Sequence, residues 1–152
     1  PPDWLRVELL VSGIGRILRP YSERYPMNIP ATLRYTKEHE WISLDGDVAT
    51  VGITDFAQGE LGDVVYVEIE TVGQAMAEGD VFGSVEAVKT VSDLFLPVSG
   101  TVLEVNQKVV DSPELVNSDP YGEGWMIKLR VSTPADVDGL MDAEAYQTLI
   151  GG

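Results

Sequence analysis

The sequence predicts a mainly β domain with short helices and a C-terminal helical segment. Three observations carry this. Short runs rich in Val, Ile, Tyr and Phe recur between turn-forming pairs from Arg34 to Val131. Helix-start signals between them introduce only short segments. Beyond Val131 the strand signals stop, and Thr133-Pro134 opens a stretch whose apolar residues recur at helical spacing. A chain of 152 residues, 44% of them hydrophobic, suits one compact domain with a real core.

The elements follow in order. Glu40-Trp41-Ile42-Ser43-Leu44 reaches Asp45-Gly46-Asp47, a tight-turn signal, and residues 48–53 return, so 40–53 reads as a hairpin. Thr54 suits an N-cap with Asp55 in the first turn, giving a short helix over 56–61 that Gly62 ends. Residues 64–69 form a strand, and turns at 72–74 and 78–80 bracket 75–77. Strands are predicted over 81–87 and 94–98, the second carrying Pro97 late, where a strand end tolerates it.

Ser99-Gly100 turns into a strand over 101–105, in which Val102 and Leu103 cannot both face the core by simple alternation. Ser112-Pro113-Glu114-Leu115 has the N-cap and first-turn proline of one helical turn. Residues 118–124 read as a loop and 125–131 as the last strand. After Thr133-Pro134, Asp136 extends the capping pattern, Gly139 interrupts the helix, and Asp142 caps a second one over 143–150. Val137, Leu140, Met141, Tyr146, Leu149 and Ile150 make a core-covering face; the basic polar face of a membrane-lying helix is missing. A faint internal repeat relates Val65-Tyr66-Val67-Glu68 and the strand after it to Val102-Leu103-Glu104-Val105 and the strand at 125–129. The two halves would meet at Val88-Lys89-Thr90.

Composition narrows the function classes. The formal charge of −15 argues against nucleic acid and anionic membrane as partners, and favours a partner with a basic patch. With no cysteine and one histidine, a disulfide framework, a thiol nucleophile and a metal site are not expected. No apolar run approaches the length that spans a bilayer. Residues 1–26 carry four arginines against Asp3, Glu8 and Glu23, so the remainder holds all the net negative charge. Their apolar stretch is broken by Arg6 and Glu8 and lacks a basic lead, so it is a poor secretory signal. We read 1–26 as an extension outside the functional domain, with Met27 a sensible start and 27–152 the domain itself.

The most informative residue is Lys89. It is the only Lys or Arg between Lys37 and Lys108, while residues 38–107 hold fourteen carboxylates. Solvated faces normally mix both signs. An amine among carboxylates stays protonated, which disfavours a Schiff-base role. Acylation by a dedicated enzyme avoids that difficulty and turns the side chain into an uncharged tether. Four lysine methylenes and an eight-carbon acyl chain ending in sulfurs would reach roughly 14 Å from the backbone. A tight turn between two strands presents such an amine and fixes its position. Single surface lysines are ordinary, and only the placement at the hairpin raises this one above solvation.

At these residues the chain resembles the glycine cleavage system H protein family. The matching stretches are Tyr35-Thr36-Lys37-Glu38-His39-Glu40-Trp41, Val51-Gly52-Ile53-Thr54-Asp55, Leu61-Gly62-Asp63-Val64-Val65-Tyr66-Val67, Val85-Glu86-Ala87-Val88-Lys89-Thr90-Val91-Ser92-Asp93, Pro97-Val98-Ser99-Gly100, and Glu114-Leu115-Val116-Asn117 through Asp119-Pro120-Tyr121-Gly122-Glu123-Gly124-Trp125. The resemblance covers about 34–150, with the motifs in the same order.

The resemblance implies a flattened β-barrel or sandwich of the lipoyl/biotinyl-carrier type, a barrel-sandwich hybrid with a C-terminal helical segment. It implies lipoate amide-linked to Lys89, and a monomeric carrier rather than an enzyme, with no catalytic residue and no metal. The partners it implies are the P protein (the pyridoxal-phosphate glycine decarboxylase), the folate-dependent aminomethyltransferase or T protein, and dihydrolipoamide dehydrogenase, the L protein. The arm would carry an aminomethyl group from the first to the second and reducing equivalents to the third. Lipoate-attaching enzymes would recognise the surface around Glu86 and Asp93, with Gly100 as the turn glycine after the modified hairpin. Glu60, where some relatives carry histidine, and Asp55 are candidates for a cleft that receives the loaded arm, with the 54–61 helix as one wall. Desolvation there would shield a labile group. His39-Glu40-Trp41 belongs to the signature and is read as structural.

Three other readings compete. A lipoyl domain of a 2-oxoacid dehydrogenase complex uses the same tether but lacks the Thr36–Trp41 and Asp119–Trp125 elements. A biotin carrier has methionines beside its lysine, whereas Val88 and Thr90 stand here. A lipoate relay protein or a noncatalytic interaction domain keeps the fold without the glycine chemistry. The family occurs in the bacterial cytosol and in mitochondria; the cytoplasm is the preferred compartment, and the mitochondrial matrix applies to a eukaryotic source.

Overall fold

A computed structural model describes residues 28–151 of the chain, so the expected extension at 1–26 lies outside the described residues. The alternation of apolar residues around Asp45-Gly46-Asp47 produces the predicted hairpin. Strand β1 (Arg34–Tyr35) precedes it, β2 (Glu40–Asp45) pairs with β3 (Val48–Ile53), and the register runs from Glu40↔Ile53 to Asp45↔Val48. Helix α1 (Asp55–Leu61) starts where Thr54 accepts a hydrogen bond from Ala57 N–H and stops at Gly62, as the capping signals predict.

Strands β4 (Val64–Glu68), β6 (Val81–Ala87) and β7 (Val91–Phe95) form a three-stranded antiparallel sheet in the order β4-β6-β7. The second sheet has six antiparallel strands in the order β1-β2-β3-β9-β8-β5, with β5 (Ala75–Met76), β8 (Gly100–Val105) and β9 (Ile127–Val131) completing it. Both sheets, with helix and loop residues such as Val109, Val116, Met126 and Val137, feed one apolar core. Val67, Phe82, Val85 and Leu94 come from the smaller sheet, and Ile42, Val51, Val102 and Leu129 from the larger. Apolar burial on this scale, at about 25 cal/mol per Å², is what holds the two layers face to face. This is the mainly β, two-sheet architecture expected of a barrel-sandwich carrier domain.

The two halves of the faint repeat each contain an antiparallel pair, β4 with β6 and β8 with β9. Each pair carries one register shift, at Val64/Tyr66 and at Val102/Glu104. The Val102-Leu103 conflict resolves by alternation, with Val102 buried and Leu103 facing outward, and the second shift leaves Glu104 exposed as well.

Five expectations need correction. The strand placed at 94–98 is β7 at Val91–Phe95. Leu96, Pro97 and Val98 are buried beyond its end, so core burial mimicked strand content there. A helix after β8 escaped the sequence reading: α2 (Gln107–Asp111) is capped by Asn106, whose Oδ1 accepts Lys108 N–H at 3.1 Å. Its Val109-Val110 pair reads as strand, yet Val109 packs into the core. Ser112 follows α2 instead of capping the next helix; α3 (Leu115–Ser118) begins after Glu114 with no side-chain cap and takes in Ser118, which had been assigned to the loop. The last strand starts at Ile127, not Trp125, because Trp125 N–H is held in a turn by Gly122 C=O at 3.2 Å.

The C-terminal segment folds as α4 (Ala135–Asp138) and α5 (Ala143–Leu149), and Asp142 caps α5 through Ala145 N–H at 2.9 Å. Its covering face is the predicted one except for Leu149, which is 49% exposed. Tyr146 is fully buried and stacks on Tyr35 with ring centroids 4.8 Å apart. These two rings and Trp41 make a second, smaller apolar cluster. Between α4 and α5 the chain touches the sheet edge: Tyr35 and Met141 exchange backbone hydrogen bonds of 2.8 and 3.1 Å.

Candidate functional site

The β6–β7 hairpin turns at Val88-Lys89. Glu86 pairs with Val91, and Ala87 N–H donates to Thr90 C=O at 2.7 Å, so Val88 and Lys89 form the tip. Val88 N–H donates to Asp63 C=O at 3.1 Å, docking the tip on the turn between α1 and β4. Val88, Lys89 and Thr90 are all exposed. The lysine stem lies over Gly62, its Cε 3.6 Å from where a Cβ on that glycine would stand. Among the described residues no carboxylate is within ion-pairing distance of its ammonium. The amine is therefore accessible on a fixed platform.

That platform has a support the sequence reading missed. Asn117 in α3 accepts Val64 N–H at 2.8 Å and donates to Gly62 C=O at 2.7 Å and to Gln58 Oε1 at 3.1 Å. One side chain thus ties the end of α1 to the start of β4, directly beneath the docked tip. Its place within the Glu114-Leu115-Val116-Asn117 motif was the only signal, and that motif alone assigns no contact.

A groove of about 460 Å³ opens between α1 and the smaller sheet, reaching the turn before β2. Phe56, Ala57 and Leu61 of α1 face Val85 and Leu94 across an apolar floor, and Glu38, Glu40, Glu60 and Asp93 bring carboxylates to it. Leu61 of the groove wall is followed in the chain by Gly62, over which the lysine stem lies. An apolar trough edged by carboxylates suits a hydrocarbon chain ending in a cationic group.

Glu40 is the least ordinary of these acids. It is 2% exposed, with Thr36 Oγ1 donating to Oε1 at 2.7 Å and Phe95 N–H donating to Oε2 at 3.3 Å. Burial pushes its carboxyl up to about 7, against the pull of those two hydrogen bonds. Glu40 had been read as structural; its burial beside Trp41 and Ile42 at a groove wall is not visible in spacing. His39 adopts φ 71°, lines the same groove and packs against Phe56 in a tilted arrangement, ring centroids 4.9 Å apart. Burial moves its imidazole to a lower pKa, while Glu38 and Glu60 pull the other way.

The remaining predicted site residues divide. Glu86 and Asp93 are exposed on β6 and β7, with Asp93 on the groove and Glu86 between Tyr66 and Val91 in the sheet register. Glu60 lines the groove. Asp55 does not: it is engaged at the start of α1, where Oδ1 accepts Gln58 Nε2 at 2.7 Å and Oδ2 accepts Asn28 N–H at 3.1 Å. Gly100 is buried in β8, where an added Cβ would stand 2.3 Å from Arg130 C=O. It serves close strand approach, not a turn, and offers no surface to a modifying enzyme. Among the described residues there is no cluster of metal-ligating side chains, and no helix is long and apolar enough to cross a membrane.

Residues 33–151 match the family described as Glycine cleavage H-protein. A glycine cleavage system H protein of Chlorobium phaeovibrioides is 60% identical over 128 residues, covering 83% of this chain and all of the relative. One from Chlorobium luteolum is 62% identical over the same length and coverage, and one from Bacteroides fragilis is 57% identical over 124 residues, 82% and 98% of the two chains. The crystal structure of a glycine cleavage system H protein from Mycobacterium marinum superposes with a TM-score of 0.75 at 40% identity, covering 82% of this chain and all of that one. The chain belongs to the glycine cleavage H-protein family, and is a non-catalytic carrier subunit of the glycine cleavage system.

Proposed function

We propose that Lys89 bears an amide-linked lipoyl group and that the chain carries an aminomethyl group from the P protein to the T protein, then reducing equivalents to the L protein. The observation that carries this is the exposed Lys89 on a hairpin docked at Asp63, with its stem over Gly62, the residue after Leu61 of the 460 Å³ groove. The residues present fit such a group. The stem passes over Gly62, and Leu61, Phe56 and Leu94 offer an apolar bed to an arm of roughly 14 Å reach. When attached, lipoate supplies a dithiolane that accepts the group and a dithiol that is reoxidised.

The chain's own residues do the remainder. The carboxylates of Glu38, Glu60 and Asp93 favour an ammonium at the groove, and the apolar walls keep water from it. Glu86 and Asp93, exposed on either side of the tip, serve recognition by lipoate-attaching enzymes. The bacterial relatives support a cytoplasmic setting. Intact mass measured before and after incubation with a lipoate-attaching enzyme, alongside a reconstituted glycine decarboxylation assay, tests the reading. A single lipoyl increment that Lys89→Ala abolishes together with activity is expected; full activity of the unmodifiable variant would refute it.

A further inference from the structure

Tyr146 lies on the core-facing side of α5, fully buried, yet its hydroxyl meets both segments that shape the groove. It is 2.8 Å from His39 Nδ1 and 2.8 Å from Thr54 Oγ1. Thr54 is itself fully buried, and its Oγ1 already accepts Ala57 N–H at 3.1 Å as the cap of α1. Each of these hydroxyls has one proton to place. If Thr54 O–H donates to Tyr146 and Tyr146 O–H donates to Nδ1, both protons find acceptors. In the opposite order, Nδ1–H donates to Tyr146, Tyr146 donates to Thr54, and the Thr54 proton is left in a buried site with no acceptor. An orphaned donor of that kind costs about 1–3 kcal/mol.

The backbone adds to the constraint. His39 is held at φ 71° by its N–H on Thr36 C=O and by Thr54 N–H on its own C=O, both at 3.0 Å. Its ring lines the groove and also a second cavity of about 370 Å³ with Lys37, Phe56 and Leu149. Nδ1 is committed to Tyr146, so Nε2 is the ring nitrogen left for the cavities that His39 borders.

We infer that Tyr146 is a positioning residue for the arm groove, fixing His39 as its Nε2–H tautomer so that the ring meets the groove as a donor without a free lone pair. This rests on the proposed reading of the groove as the shelter of the loaded arm. A ring in that state cannot take a proton from an ammonium group, whose N–H groups then donate to the carboxylates of Glu38, Glu60 and Asp93. Burial keeps the imidazole uncharged in the same sense, with Glu38 and Glu60 opposing and Lys37 on the far side.

His39 is the single histidine of the chain, so ¹⁵N NMR of the intact protein gives one pair of ring resonances to follow with pH. We expect Nε2 protonated and Nδ1 as acceptor; a protonated Nδ1 in the neutral ring overturns the inference without any variant. Tyr146→Phe keeps the ring stack and removes the donor, so the His39 titration midpoint is expected to rise. The lipoylated, reduced carrier is then loaded by condensing its thiol with formaldehyde and ammonia, which forms the S–CH₂–NH₂ linkage with loss of water. Ammonia release is expected to be about three- to tenfold faster in Tyr146→Phe than in the parent, the range one hydrogen bond represents. An unchanged midpoint, or a shifted midpoint with unchanged release, overturns the role at the groove. Parent release as fast as from a loaded lipoyl peptide would instead count against the shelter reading, leaving the tautomer result to stand by itself.

Discussion

The Cε of Lys89 lies 3.6 Å from the position a Cβ would occupy on Gly62, a residue at φ 78° and ψ −157°. That backbone region is essentially restricted to glycine and costs other residues about 1–3 kcal/mol. Gly62 therefore ends α1 in a conformation that other residues adopt only under strain, while a Cβ there would meet the stem in ordinary van der Waals contact. Gly62→Ala is expected to lower unfolding free energy within that range while lipoylation of the folded protein keeps a rate close to the parent's. Chemical denaturation and timed intact-mass measurements check the two outcomes separately.

Removing the amine itself should leave the fold alone. Lys89 is exposed, with no ion pair among the described residues, so Lys89→Ala should change stability by no more than about 0.5 kcal/mol. Loss of the lipoyl mass increment with an unchanged thermal transition is the expected outcome.

Glu40 makes stability depend on pH in a definite direction. Its folded-state pKa of about 7 lies above the usual carboxylate value, so the native protein binds more protons than the unfolded chain between about 4.5 and 7. Stability should fall as pH rises through that window, by on the order of 3 kcal/mol in total. Glu40→Gln removes this contribution, so subtracting its stability profile from the parent's should expose the slope. A difference flat across the window would contradict the burial assigned to this carboxyl.

Asn117 couples the lysine platform to α3. Asn117→Ala strips partners from Val64 N–H and Gly62 C=O together, so a loss of about 2 kcal/mol or more is expected. Amide exchange at Val64 and Val88 should accelerate beyond the global change, since the tip rests on the turn that Asn117 holds. Hydrogen exchange resolved by residue reads this directly.

Local rules carried well where one residue decides one feature. Asp45-Gly46-Asp47, Thr54, Gly62 and Asp142 each act within a few bonds of their own position, and their elements sit where those rules put them. The hairpin that carries Lys89 at its tip was legible because two strand runs flank Val88-Lys89-Thr90. The rule failed where burial replaced backbone pairing, as at Leu96-Pro97-Val98, and where a short helix carries β-branched residues into the core, as at Val109. Glu40, Asn117 and Tyr146 owe their roles to partners 55, 53 and 107 residues away, and no spacing within the chain announces such contacts. Asp55 shows the reverse error: an acid beside the right helix, engaged by that helix's own first turn.

The backbone exchange between Tyr35 and Met141 seals one border of the larger sheet, and at the other border β5 is only two residues long. Unprotected borders of this kind recruit strands from other molecules. The C-terminal segment thus acts as a guard against self-association as well as a roof over Tyr35 and Trp41. Chains cut after Val131 are expected to form oligomers or aggregates, not a smaller working carrier, which sedimentation would reveal.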